Sequence, residues 1–81
     1  MAKKIVHAQL SPQKRERLGK NCKKLRIHMG YSAEEVAARL GKSRNYVYML
    51  ESGDMNPPLA VLVQLRSIYQ TKTLKPLLDG I

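Results

Sequence analysis

Tryptophan and phenylalanine are absent from this 81-residue chain, cysteine occurs once, and 6 acids stand against 15 lysines and arginines. Each shortage closes off a class of protein. Without Trp or Phe, and with four Tyr, the chain lacks the aromatic platforms on which unpaired bases stack, which weighs against single-stranded RNA as a target. One cysteine cannot form an internal disulfide. His7 and His28 lie far apart without Cys or carboxylate partners at metal spacing, so no metal site is expected. No nucleophile, base and orienting group cluster, and no glycine-rich phosphate loop appears; neither an enzyme nor a cofactor is expected. No apolar run approaches the roughly 18 residues of a membrane span. The start, M-A-K-K-I-V-H, lacks a secretory apolar region, so a cytoplasmic protein is expected.

The shortage of acids leaves a net charge of +9 and a pI near 10.1, the electrostatic footprint of a polyanion binder. The charge is uneven. Residues 1–31 hold nine bases and one acid, residues 32–53 sum to zero, and residues 54–81 give +1. Non-specific attraction is therefore concentrated in the first third. At this length there is room for one small core, with a thin stability margin unless a partner adds buried area.

The central stretch, S-A-E-E-V-A-A-R-L-G-K-S-R-N-Y-V-Y-M-L-E-S-G from Ser32 to Gly53, reads as two short helices joined by a tight turn. Val36, Ala37 and Leu40 mark one buried stripe, Ser32 opens it with Glu34 and Glu35 in its first turn, and Gly41 stops it. Ser43 then caps a second helix starting at Arg44. The connection is so short that the helices cross steeply, and Ala37 is small where close crossing demands it. In the second helix Val47 and Leu50 face inward, leaving Arg44, Asn45, Tyr48 and Met49 free. Arg44 offers a bidentate fork for guanine and Asn45 a bidentate amide for adenine, both in the first turn. Tyr48 and Met49 suit stacking or contact with a thymine methyl, so A·T-containing half-sites with at least one guanine are expected.

Around this unit, Ser11-Pro12 starts a helix running to about Met29 and ending at Gly30. Leu18, Cys22, Leu25 and Met29 face inward; Cys22 reads as a buried thiol. Lys14, Arg15, Lys20, Lys23 and Lys24 form either a solvated face or a phosphate-facing stripe. After Gly53, D-M-N-P-P makes a loop whose backbone amides at Asn56 are candidates for phosphate. From Pro58 onward Leu59, Leu62, Val63, Leu65 and Ile68 are too many for one narrow stripe, so some face a partner. Thr73 caps a last short helix holding Leu74, Leu77 and Leu78, either core or dimer seam.

These residues resemble the Cro/C1-type helix-turn-helix, or XRE, family of phage repressors and bacterial regulators. Leu18, Leu25, Arg26, Gly30, Ser32, Val36, Ala37, Leu40, Gly41, Ser43, Tyr46, Val47, Glu51, Gly53, Asn56, Pro57, Leu59 and Leu62 stand where the family pattern puts such types, covering roughly residues 18–78. The resemblance implies an all-α fold: a compact bundle of five helices with a central helix-turn-helix, the lambda repressor-like DNA-binding domain, over residues 11–81. Residues 1–10 are expected as a flexible basic arm, with Lys3 and Lys4 folding onto phosphates as arms do in some members. The resemblance also implies an ion pair between Arg26 and Glu51 that orients the first helix against the third. Two departures stand out: Ala33 replaces a favoured phosphate-holding glutamine, and Lys42 occupies an often apolar turn position, where with Ser43 it becomes a phosphate candidate. The implied function is a repressor of duplex DNA, binding a palindromic operator as a homodimer through its C-terminal helices. The alternative is an antitoxin or coactivator-like interaction module of the same fold, with a toxin as partner.

Overall fold

The computed structural model describes residues 10–81, so Lys3, Lys4 and His7, and with them all of the expected arm but Leu10, lie outside the described residues. Four helices follow one another: α1 Pro12–His28, α2 Ala33–Leu40, α3 Arg44–Ser52 and α4 Leu59–Ile68. No strand occurs among the described residues. The three serine caps fall where the sequence places them. Ser11, Ser32 and Ser43 each accept the backbone N–H three residues on, from Lys14, Glu35 and Tyr46, satisfying donors that a helix start leaves orphaned. Glu35 answers Ser32 by accepting its N–H at 2.7 Å, completing a capping box. That bond, chiefly, holds the Glu35 carboxyl below its usual range.

Gly41 ends α2 in the left-handed conformation at φ 70°, which glycine adopts without cost and which lets Lys42 N–H reach back to Ala37 O at 2.9 Å. The connection to α3 is three residues long, Gly41 to Ser43. Helix α3 packs against both α1 and α2, and α2 against α4. Its Val47 and Leu50 are fully buried, with Leu18 and Cys22 of α1, Val36, Ala37 and Leu40 of α2, and Val61 and Leu65 of α4. Leu25 and Met29 pack at the margin of this core.

The tightest approach involves a residue that helical periodicity does not flag. Gly19 in α1 lies so close to the end of α3 that a Cβ there would sit 2.3 Å from Glu51 O and 2.7 Å from Leu50 O. Gly53, at φ 84°, closes α3 against the start of α1, where a Cβ would lie 2.9 Å from the Glu16 backbone. Arg15 Nε donates to Gly53 O at 3.0 Å and fastens the same joint. Ala37, expected where α2 and α3 cross, is buried, while Gly19 marks a separate close approach between α1 and α3.

The expected fifth helix is absent. Residues 72–80 form successive turns instead, with Leu77 N–H and Leu78 N–H both returning to Leu74 O. Thr73 does accept Lys75 N–H at 3.2 Å, but the turn it starts is not propagated. Pro76 contributes no N–H, and so short a segment gains too few hydrogen bonds to offset helix nucleation. Its carbonyls are taken by α1: buried Asn21 donates Nδ2 to Leu77 O at 2.9 Å and to Asp79 O at 2.8 Å. Leu77 is thereby buried completely and belongs to the core, whereas Leu78 stays exposed.

Burial also fixes the chemistry of Cys22. Removal from water, reinforced by the negative charge of Glu51, pushes its thiol up to about 12. Tyr69 beside it is shifted up for the same first reason. A raised folded-state value means that stability is complete below the ordinary thiol range and is lost as pH rises above it, because the unfolded thiol then ionises first. Wild-type protein should therefore lose more stability between pH 8 and pH 10.5 than Cys22→Ala does, in urea titrations. The native thiol should also resist a disulfide reagent at pH 8 that labels the unfolded chain at once.

Candidate nucleic-acid interface

Burial of Val47 and Leu50 turns the opposite side of α3 outward, and Arg44, Asn45, Tyr48 and Met49 are all exposed there. These four residue positions follow from the 3.6-residue period alone. Their side chains are nevertheless not independent. The Arg44 guanidinium carbon lies 5.9 Å from the centroid of the Tyr48 ring, one helical turn on, and Asn45 Nδ2 points at Met49 Sδ at 3.5 Å. Arg44 Nη1 also donates to Glu34 Oε2 at 3.3 Å, across the turn from α2.

The residues expected to meet phosphate flank this face in different ways. Lys42 is exposed beside the start of α3, its ammonium 5.2 Å from the centroid of the Tyr46 ring. The Ser43 hydroxyl is occupied as the cap of α3, accepting from Tyr46 N–H at 3.1 Å. Lys23 of α1 lines a shallow cleft of about 310 Å³ together with Arg26, Tyr48, Glu51 and Ser52, so the basic face of α1 adjoins the free face of α3. Asn56 has a structural engagement: its Oδ1 accepts Leu10 N–H at 2.7 Å and ties the loop after α3 to the entry of α1. Tyr46, Glu34 and Ser52 were not among the candidates from sequence, although helix spacing exposes the first turn of α2, where Glu34 sits.

The ion pair behind this face is bidentate. Arg26 Nε and Nη2 donate to the two oxygens of Glu51 at 2.7 and 3.1 Å, and Nη1 donates to Tyr31 O at 2.9 Å. The side chains are 13% and 6% exposed, so this pair is largely withdrawn from solvent, unlike a surface one. The hydrogen bonds to Glu51 dominate a rise in the Arg26 pKa that burial alone would oppose. All of the guanidinium's geometry is thus spent on fixing α1, α3 and the loop before α2 relative to one another.

Comparison with known proteins agrees with the helical fold. A family model described as helix-turn-helix matches residues 23–75. An uncharacterised HTH-type transcriptional regulator of Sinorhizobium fredii is 41% identical over 51 residues; the match covers 63% of this chain and 66% of that protein, just under two thirds of its length. Among solved structures, the restriction-modification controller protein C.AhdI of Aeromonas hydrophila is similar with a TM-score of 0.76 and 26% identity, over 82% of this chain and 94% of that one. A hypothetical transcription factor, NHTF, from Neisseria has a TM-score of 0.73 and 25% identity, over 93% and 86% of the two chains.

Proposed function

We propose, from the premise that this chain belongs to the XRE-type helix-turn-helix family of DNA-binding transcription regulators, that it is a repressor acting as a homodimer on a palindromic operator. The observation that carries the reading is the outward set Arg44, Asn45, Tyr48 and Met49 on a helix whose other side is locked in the core. The N-terminal turn of such a helix enters the major groove, where Arg and Asn recognise guanine and adenine. Lys23 and Lys42 then lie beside the backbone of the duplex and supply salt-dependent affinity. Lys3 and Lys4, which precede α1 in the sequence, extend that attraction.

A single module of this size buries only about 600 to 1,000 Å² on DNA, which is why two copies on half-sites about 34 Å apart are needed for useful discrimination. Exposed Leu59 and Val63, one turn apart on α4, give the second copy an apolar surface to cover. The protein works in the cytoplasm by occluding a promoter. No helix among the described residues is long and apolar enough to cross a membrane.

The division between reading and anchoring residues is testable by anisotropy on a selected and a random duplex over a salt series. Arg44→Ala should cost about 1 to 3 kcal/mol on the selected site and relax preference at one base pair. Lys23→Ala should weaken both duplexes alike and reduce the salt slope by about one. Equal losses on both duplexes for Arg44→Ala would remove that residue from base readout.

A further inference from the structure

Glu34 is an acid at the edge of a face that meets a polyanion, which calls for a reason. Three of the other acids serve the fold: Glu35 completes the α2 cap, Glu51 holds Arg26 and Asp54 accepts from Ser52, while Asp79 makes an exposed pair with Arg17. The Glu34 carboxylate instead takes Arg44 Nη1 at 3.3 Å, with the two side chains 68% and 59% exposed. An ion pair so exposed adds little to stability, so the fold gains almost nothing from it.

We propose that Glu34 is a specificity-determining residue that acts by positioning Arg44, a role that rests on the DNA-binding reading above. A guanidinium carries five N–H donors on separate edges. With Nη1 engaged by Glu34, the edge formed by Nε and Nη2 remains free, and that edge matches the O6 and N7 acceptors of guanine. The Tyr48 ring, 5.9 Å from the guanidinium carbon, flanks the same group from within α3. Arg44 is thereby restrained between two helices. A released Arg44 is a long, flexible cation that can swing to any phosphate, and phosphates carry no sequence information. Glu34 thus lowers affinity for every duplex through its charge, and lowers it most for those that offer Arg44 no guanine. Specificity is a difference of affinities, and this device works by penalising the wrong partner.

The test uses the full chain with the selected duplex and a random duplex of equal length. Glu34→Gln keeps the shape and removes the charge. It should tighten random-duplex binding roughly two- to fivefold, leave selected-site binding less changed, and so reduce the ratio of the two. Preference at the base pair read by Arg44 should loosen. Glu16→Gln, which removes an exposed charge from α1, should preserve the ratio, as should Glu34→Gln introduced into Arg44→Ala. A Glu34→Gln ratio and base preference equal to wild type would overturn the assignment while leaving the DNA-binding reading standing. Wild-type protein that selects no duplex at all would overturn both.

Discussion

Gly19→Ala is expected to destabilise the protein by roughly 2 kcal/mol or more, against the direction that the substitution takes in an ordinary helix. Within an unencumbered helix, alanine in place of glycine stabilises by about 0.8 to 1 kcal/mol because the unfolded chain loses freedom. Here the new methyl would be 2.3 Å from Glu51 O and 2.7 Å from Leu50 O, both backbone atoms that no rotamer change can move. Helix α3 must slide off α1, and overpacking of that kind typically costs about 1 to 3 kcal/mol. The displacement also reaches the reading face, since α3 is both the element pushed and the element that reads. Urea titration decides the stability claim: a midpoint at or above wild type would show that the two helices are not held at this distance.

Glu51→Ala should cost still more, about 3 kcal/mol, because it strands a guanidinium that is 13% exposed. For a domain whose total stability is on the order of 5 kcal/mol, most of the folded margin disappears. The comparison that separates a buried charge from a merely useful contact is the double variant Arg26→Met with Glu51→Leu. Apolar replacement of both partners should recover much of the loss, because neither charge then remains desolvated. The Tyr31 O acceptor loses its donor in the double variant, so recovery should be incomplete. A Glu51→Ala midpoint within about 0.5 kcal/mol of wild type would mean that solvent reaches Arg26 freely.

The two expectations differ in how they could be read from the chain. Arg26 and Glu51 were paired through family resemblance, and the sequence left open whether they sat at the surface; the burial that makes the pair matter is a property of the assembled helices. Gly19 gave no signal at all. It lies mid-helix beside Leu18, far from any turn, and its necessity arises from residues 50 and 51, which approach only once α1 and α3 cross. By contrast, the caps at Ser11, Ser32 and Ser43 and the stop at Gly41 were legible because each is settled within four residues of chain.

The same distinction accounts for the C-terminal segment. Thr73 and the leucine spacing suggested a helix, but whether a short, proline-containing stretch propagates depends on what else can take its carbonyls, and Asn21 takes two of them. Periodicity also identified the four outward residues of α3, because a helix of known inward side has a known outward side. It could not show that Arg44 leans on Glu34, ten residues earlier, or that Asn56 turns its oxygen to Leu10. Contacts between elements are where local pattern stops being informative.

The central claim is that the exposed side of α3 reads duplex sequence. Selection of bound sites from random duplex DNA, run in parallel with wild type and Arg44→Ala, tests it most directly. Wild type should enrich two inverted half-sites about one helical turn apart, each containing a guanine, and Arg44→Ala should return the same half-sites with that guanine no longer preferred. Enrichment of no sequence at low ionic strength, or an identical consensus from both proteins, would contradict it.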